Sequence, residues 1–550
     1  MTVHARRNEK IPEETTRLVR KALPKGNVYT RMRDELGVLF EDKEFSKLYS
    51  TEGRSAESPG QLAMVVLMQF VENLTDRQAA EAVQVRIDWK YALGLELEDE
   101  GFDYSVLSEF RSRLLTKGAE ADIFDKLLEV CKERGLVKAG GKQRTDSTQV
   151  LAAVRELNRL ECVGETVRQA LEVLVDVMPD WFKGWLKADW VARYGQPLNS
   201  YRLPKEKKAR AEMGLVIGWD GYEVLTQVYA ATAPRWLREV PAIETLRRIW
   251  IQQYEELDGQ LHWRDDKDLP PAHELIGSPF DLDARTSTKR ETTWNGYKVH
   301  LTETCDTDEP HLLTNVITTP ATVPDVAVTP QVHDDLAVKH LIPAVHVVDA
   351  GYPDAFELAH AKQAHAIELL GPVRSSTSWQ AQQAHGFQLD NFTIDWQAQQ
   401  ATCPQGHTSQ SWTPGHDRFK NPRINAKFPP QTCRACPVKA QCTRSSKGER
   451  KITFYPQPQY EALQGARLYQ ATPQFKQRYS VRAGIEGTIS QGIAVFGMRV
   501  ARYFGLAKTK LEHLLCASAM NFVRIDNWLN GSSHAMTRKS KLVRVAPVMA

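Results

Sequence analysis

Three acidic residues stand in contexts that could bring their carboxylates to one site. Asp349 ends the apolar run AVHVVDAGYPD, directly before a glycine-containing turn, where open α/β sheets bind ligands and metals. Asp146 lies in the strand-like run RTDST, and Glu486 lies in a helix one turn after Arg482. Together they could hold two Mg²⁺ (or Mn²⁺) ions, because hard cations prefer carboxylate oxygens. Two such metals can activate a water or a 3′ hydroxyl and stabilise the leaving oxygen of a phosphodiester.

Each of these residues also has an ordinary structural interpretation. An aspartate that leaves a strand is often a turn or helix cap, so Asp349 alone does not identify a site. Gly484, Gly487 and Gly492 would let a partner backbone approach the glutamate helix closely. Asp283, in LDAR, is a further carboxylate to which the sequence assigns no role.

A second cluster consists of cysteines. Cys433 and Cys436 have the spacing that lets two thiolates bind one tetrahedral Zn²⁺, with Cys403 and Cys442 as third and fourth ligands and His407 in reserve. Four thiolates would close the metal shell, so this zinc is expected to be structural. Unligated surface thiols are the alternative. The isolated cysteines are expected to be buried free thiols, and they are Cys131, Cys162, Cys305 and Cys516.

The charge is balanced overall but uneven along the chain. The 550 residues carry a formal net charge of +3, with 71 basic and 68 acidic side chains. Residues 1–33 hold nine basic and three acidic side chains, residues 418–451 ten and one, and residues 471–510 seven and one. Three such runs favour contacts with a nucleic-acid backbone over simple solvated surfaces. The chain has no signal-like start and no apolar run long enough to span a membrane, which predicts a cytoplasmic protein.

The elements that must position these residues follow from periodicity and capping signals. Residues 29–135 read as helices, with Ser58 before Pro59 and the pair Thr75 and Gln78 marking two helix starts. The helix from Thr75 follows another after a brief turn, which suggests either a DNA-binding helix-turn-helix or plain packing. Strand-like runs at 297–301, 312–317, 344–348 and 367–373, with a helix before the third, indicate a mixed α/β sheet. Residues 478–496 and 508–529 read as helices again.

Several of these segments resemble the DDE transposases of bacterial insertion sequences. The catalytic segments are TDST, NGYKVHLT, VVDAGY and IEGTISQG, and the N-terminal segments SPGQLAMVVLMQFVENLTDRQAAEAV and FDYSVLSEFRSRL resemble that class's helical domain. The resemblance implies a ribonuclease-H-like α/β fold with Asp146, Asp349 and Glu486 as the catalytic, metal-binding triad. Relatives also place Tyr, Arg, Glu and Lys at fixed spacing on the glutamate helix. Tyr479, Arg482 and Glu486 match here, but Ile493 replaces the lysine.

The phosphate contact of that lysine could be supplied by another basic residue. The candidates are Arg499, Arg502 and Lys508, while Arg482 itself is the expected phosphate ligand, with a salt bridge to Glu486 as the alternative. Lys298 matches a recurring family position and is a further candidate for DNA contact. Trp294 and Tyr297 could stack a displaced base, although core packing is favoured, and His300 is interpreted as a structural histidine.

The resulting domain prediction has four parts. Residues 1–135 form a helical DNA-binding domain, and residues 138–373 with 471–530 form the catalytic domain, interrupted by a helical insertion at 151–280. Residues 374–470 form the Cys-rich zinc insertion, and residues 531–550 form a basic, flexible tail.

The expected function is transposition. The chain would bind terminal inverted repeats and target DNA as a homodimer, cut at the element ends and transfer the 3′ hydroxyls, in the bacterial cytoplasm and in association with the nucleoid. A plain metal-dependent nuclease and a catalytically silent DNA-binding regulator are the alternatives.

Overall fold

The computed structural model describes residues 10–289, 291–383 and 385–532. The basic residues before position 10 and the predicted tail beyond position 532 lie outside this range. Among the described residues, no helix is long and apolar enough to cross a membrane.

The described part of the chain begins with seven α-helices. Ser58 Oγ accepts the backbone N–H of Gln61, and Thr75 and Gln78 cap each other reciprocally, so both predicted helix starts are confirmed. The helices are α1 (Glu13–Ala22), α2 (Val28–Leu36), α3 (Pro59–Val71), α4 (Asp76–Val85), α5 (Ile87–Leu93), α6 (Ser105–Thr116) and α7 (Asp122–Glu133).

The first strand, β1 (Lys142–Leu151), precedes a mainly helical segment. This segment has its own core, built around Val163, Ile217 and Leu246. Its elements are α8 (Arg159–Val177), α9 (Pro179–Lys183), α10 (Ala188–Tyr194), α11 (Lys207–Tyr229), α12 (Pro241–Gln253), β2 (Tyr254–Leu257) and β3 (Gln260–Trp263).

The sheet resumes at residue 285. The elements are β4 (Arg285–Lys289), β5 (Thr292–Thr304), β6 (Leu313–Pro320), α13 (Thr329–Val338), β7 (Val345–Val348), α14 (Ala355–His365) and β8 (Glu368–Leu370). The strand order is β4-β5-β1-β7-β8, and β6 pairs with the part of β5 that β4 leaves free. β5 runs antiparallel to β1, whereas β7 runs parallel to β1, and β8 runs parallel to β7. The prediction of a mixed α/β sheet is confirmed.

The Cys-rich segment forms small sheets and short helices around a minor core that contains Phe392, Phe428 and Phe454. Its elements are β9 (Thr393–Asp395), β10 (Gln400–Thr402), β11 (Ser411–His416), β12 (Pro422–Lys427), α15 (Pro430–Ala435), α16 (Lys439–Cys442) and β13 (Lys451–Phe454).

Four α-helices complete the described residues, which end at position 532: α17 (Gln457–Gln470), α18 (Pro473–Tyr479), α19 (Gly484–Ala494) and α20 (Leu506–Leu529). A 3₁₀ turn at Ser480–Ala483 separates α18 from α19, so the predicted continuous helix over 478–496 is wrong at that point. Further 3₁₀ turns occur at Asp42–Leu48, Ser200–Arg202, Arg235–Glu239, Asp266–Asp268, Asp325–Val328 and Leu389–Asn391.

The long helix α20 joins the N-terminal helices to the sheet. It packs on α3, α7 and β6, and most of its side chains are buried. Its Phe522 ring stacks on Tyr29, and Asp526 binds the guanidinium of Arg31 at 2.6 Å. The N-terminal helices and the sheet therefore share one hydrophobic core.

Candidate active site

The register of the sheet brings the two aspartates side by side. Thr145 on β1 pairs with Val348 on the parallel strand β7, so Asp146 and Asp349 are the next residues on two neighbouring strands. Asp146 is mostly buried, and its Oδ1 accepts the backbone N–H of Ser147 at 2.8 Å. Asp349 follows the last residue of β7 and is 41% exposed. Asp146, in the middle of β1, thus lies beside Asp349, which directly follows the carboxyl end of the parallel strand β7.

The third carboxylate comes from α19. Glu486 lies in the first turn of this helix, and its side chain is 64% exposed. The guanidinium of Arg144, two residues before Asp146, donates to the carbonyl of Val481 at 2.6 Å in the turn that precedes α19. This bond ties the start of the glutamate helix to the aspartate strand.

Arg482 lies among the three predicted carboxylates. Its guanidinium is 2.5 Å from Asp146 Oδ2, 2.8 Å from Glu486 Oε1 and 3.9 Å from Asp349 Oδ1. The salt bridge to Glu486 that the sequence offered as an alternative is therefore present, but it is one of three contacts. A single cation offsets the mutual repulsion of the carboxylates.

The titration of Asp146 and Arg482 reflects this setting. Burial raises the pKa of Asp146, and the charge of Arg482 only partly opposes that effect. Burial would lower the pKa of Arg482, but the carboxylates of Asp146 and Asp349 outweigh it and raise that pKa. These two pKa shifts are those of a partly desolvated ionic cluster. Such clusters are typical of functional sites but also occur in structural ones.

A buried ionic network supports the cluster from behind. Glu303 on β5 is fully buried and accepts from Arg144 at 2.7 Å, from Arg524 of α20 at 2.8 Å and from Thr488 of α19 at 2.6 Å. Burial alone would raise the pKa of Glu303, but Arg524 and Arg144 hold it below its ordinary value. Glu303 thus connects β1, α19 and α20. The sequence analysis missed it because its partners are more than 150 residues away along the chain.

The glycines of the glutamate helix do not serve a close backbone approach, so that expectation is wrong. A Cβ at Gly484 would lie 2.1 Å from the Arg144 guanidinium, and one at Gly492 would meet the Met498 sulfur at 3.2 Å. A Cβ at Gly487 would have no neighbour within 4 Å.

Comparison with known protein families adds two matches. Residues 402–526 match the model described as Transposase DDE domain, and residues 17–113 match Transposase domain (DUF772). These two matches support an insertion-sequence DDE transposase. No curated protein and no solved structure matches it. The DDE match contains Arg482 and Glu486, whereas Asp146 and Asp349 precede it.

Most of the other residues predicted to contact DNA have partners within the protein. Lys298 Nζ donates to the Val323 carbonyl and pairs with Asp325 at 3.0 Å. Arg499 donates to the carbonyl of Gln149, and Arg502 to Asn73 and the carbonyl of Leu74. Tyr479 is half-buried and stacks on Phe475, Ile493 is half-buried, and Lys508 is exposed. Their roles on DNA stay predictions.

The residues with alternative interpretations are structural here. Trp294 and Tyr297 are buried, which confirms core packing. His300 is buried against the Tyr352 hydroxyl, and burial lowers its pKa to about 4. Asp283 accepts the backbone N–H of Leu506 at the start of α20, which gives this carboxylate a capping role.

The four clustered cysteines and His407 line one cavity of about 30 Å³. All four are free, and burial raises the pKa of Cys442 to about 11. The isolated cysteines are buried free thiols, as predicted.

Within the described residues, no group of three or more His, Cys, Asp or Glu side chains is spaced to hold a metal ion directly. For the carboxylates, the guanidinium of Arg482 accounts for this, because it lies where a cation between them would lie. The donor types still suit the expected metals: carboxylates suit Mg²⁺, and thiolates suit Zn²⁺.

Proposed function

We propose that this chain binds the terminal inverted repeats of its element, cuts DNA at the element ends and transfers the 3′ hydroxyls to target DNA. The observation that carries the proposal is the convergence of Asp146, Asp349 and Glu486 around one guanidinium. The order β6-β5-β1-β7-β8, with three antiparallel strands followed by two parallel ones, supports a ribonuclease-H-like catalytic domain.

Asp146, Asp349 and Glu486 would hold two Mg²⁺ or Mn²⁺ ions, which supply activation of the attacking oxygen and stabilisation of the leaving oxygen. Arg482 would then turn from the carboxylates toward a DNA phosphate, for which a planar guanidinium is well suited. The relatively exposed Asp349 and Glu486 can adjust to the substrate, while the buried Asp146 stays fixed on its strand. A structural Zn²⁺ would be bound by Cys403, Cys433, Cys436 and Cys442, with His407 as an alternative ligand.

Residues 1–135 would bind DNA, and two copies of the chain would act together, because two ends must be joined in one event. Lys298, Tyr479, Arg482, Arg499, Arg502 and Lys508 would contact the DNA. The reaction would take place at the nucleoid, in the bacterial cytoplasm.

The test is incubation of the chain with a DNA fragment that carries its own gene and flanks, in Mg²⁺, Mn²⁺ or EDTA. We expect metal-dependent cuts at the flanks that Asp349→Ala abolishes. Asp180→Asn, at a side chain that is 98% exposed in the helical insertion, is the matched control and should cut normally.

The outcomes separate the alternatives. Joining of the freed 3′ ends to a second DNA supports transposition, whereas cutting without joining indicates a plain nuclease. Binding of the flanks without cutting indicates a silent DNA-binding regulator.

A further inference from the structure

The sheet of the Cys-rich segment has two unlike faces. The register of β11, β12 and β13 places Trp412, Ala426 and Ile452 on one face, where they join the small core. The opposite face carries polar or basic side chains, and they are Ser411, Thr413, Arg423, Asn425, Lys427, Lys451 and Thr453. We refer to these seven residues as the basic face. It contains no acidic residue.

Two lysines of the basic face oppose each other directly. Lys427 on β12 pairs in register with Lys451 on β13, and both side chains are exposed. Like charges directly opposite each other on a sheet are destabilising. Of the ten basic residues at 418–451, Arg423 alone forms an ion pair in the part of the chain that the structure describes, with Asp417 at 2.9 Å. The local excess of positive charge that remains suits a polyanion.

The hairpin tip beside this face presents an aromatic ring to solvent. Asp417 Oδ1 accepts the backbone N–H groups of Phe419 at 2.8 Å and Asn421 at 3.0 Å, which fixes the turn between β11 and β12. Lys420 adopts a φ of +65° to complete it. The Phe419 ring is 69% exposed, and the Arg418 guanidinium lies 4.6 Å from its centroid. The turn thus holds an exposed ring against the Arg418 guanidinium, and Lys420 is the next residue along the chain.

We propose that the basic face and this tip form a DNA-binding surface on which Phe419 stacks on an unpaired base. Lys427 and Lys451 contact the flanking phosphates, and Arg418 and Lys420 flank the stacked base. Cations beside an aromatic platform are the combination that single-stranded nucleic acid requires. The inference rests on the proposed function for its partner, DNA, and adds the location and the preference for an unpaired base.

The first test uses Lys427→Glu. This variant replaces a repulsive lysine pair with an attractive Glu–Lys pair, so the segment should fold at least as well as the original. Binding to a fluorescent, gapped duplex should weaken about 10-fold, and the slope of log K against log salt should fall by about 1 for each lost phosphate contact. Lys208→Glu changes the charge equally at a side chain that is 89% exposed in the helical insertion, and it should bind as the original. Equal weakening by both variants would overturn the inference.

The second test places 2-aminopurine at the unpaired position of the same gapped duplex. Stacking on Phe419 should change its fluorescence, and Phe419→Ala should abolish the change and weaken binding about 5- to 100-fold. Phe419→Trp should retain both. Unchanged binding and fluorescence in Phe419→Ala would overturn the stacking role.

Failure of this inference is distinguishable from failure of the proposed function. If the original chain cuts at the flanks while Lys427→Glu and Phe419→Ala bind DNA as tightly as it does, the proposed function stands and the basic face is not a DNA-binding surface. Loss of binding in both variants, in a chain that does not cut, would support the surface and count against transposition.

Discussion

Arg482 is the residue on which the chemistry of the site depends most directly. Its guanidinium supplies, in the metal-free chain, the positive charge that three neighbouring carboxylates need. Divalent cations would compete for the same oxygens. If the site binds metal as proposed, Arg482 must leave the carboxylates when the ions arrive.

Arg482→Gln should therefore bind Mn²⁺ several-fold more tightly than the original chain when DNA is absent, because no internal cation has to be displaced. Isothermal titration calorimetry measures this directly. Asp146→Asn should bind the ion more weakly. Arg478→Gln is the matched control, since Arg478 pairs with Glu368 outside the cluster. Equal Mn²⁺ affinity in the original chain and Arg482→Gln would contradict the competition.

Glu512 makes the stability of the chain depend on pH. Burial in α20 raises its pKa to about 7, and the backbone N–H and charge of Arg502 only partly oppose this. The fold therefore prefers the protonated carboxyl. This contribution to stability is fully present below the unfolded-state pKa of about 4.5 and is lost as the pH rises through about 7.

Glu512→Gln should remove that loss. The free energy of unfolding should match that of the original chain at pH 4 and exceed it by about 3 kcal/mol at pH 8.5. Urea unfolding of both proteins across this range tests the difference. Glu129→Gln, at an exposed side chain of α7, should leave the pH profile unchanged. Parallel profiles for Glu512→Gln and the original chain would contradict the assignment.

At the scale of elements, the site depends on how α19 is held against β1. Glu303 binds Arg144, Arg524 and Thr488 together, and Arg144 in turn holds the Val481 carbonyl and fills the space above Gly484. Removing one partner from a buried ionic network costs about 3–5 kcal/mol. The orientation of the glutamate helix is therefore coupled to this network.

Two glycines of α19 provide a matched pair of substitutions. Gly484→Ala should displace Arg144 and its hydrogen bonds, lower the stability by about 2 kcal/mol and increase amide exchange in residues 480–494. Gly487→Ala, which meets no neighbour, should stabilise the helix by up to about 1 kcal/mol. Thermal unfolding and hydrogen exchange by mass spectrometry distinguish them. Similar effects of the two substitutions would mean that Arg144 does not hold the helix.

The sequence predicts elements better than it predicts their contacts. Local capping signals at Ser58 and Thr75 gave correct helix starts, and apolar runs located β5, β6, β7 and β8. The bridging role of Arg482 was not predictable, because its contact with Asp146 spans 336 residues and depends on sheet register. The break before α19 has the same origin, since Arg144 takes the Val481 carbonyl from outside the helix.

At the scale of the whole molecule, different segments of the chain are built around separate hydrophobic cores. The N-terminal helices and the sheet share one core through α20, whereas the helical insertion and the Cys-rich segment each have their own. Among the residues that the structure describes, the Cys-rich core has only six buried hydrophobic residues. So small a core rarely supports folding without an additional cross-link such as a bound metal ion.

The proposed Zn²⁺ would be the cross-link that stabilises the Cys-rich segment. We expect about one zinc per chain by elemental analysis, and loss of it in Cys433→Ser but not in Cys305→Ser, whose thiol is buried elsewhere. Chelation should make residues 374–470 sensitive to protease while the main unfolding transition is unchanged, because the large core does not depend on the cysteines. A chain that contains no zinc and resists protease across this segment would show that the small core and its cysteine thiols suffice without the metal.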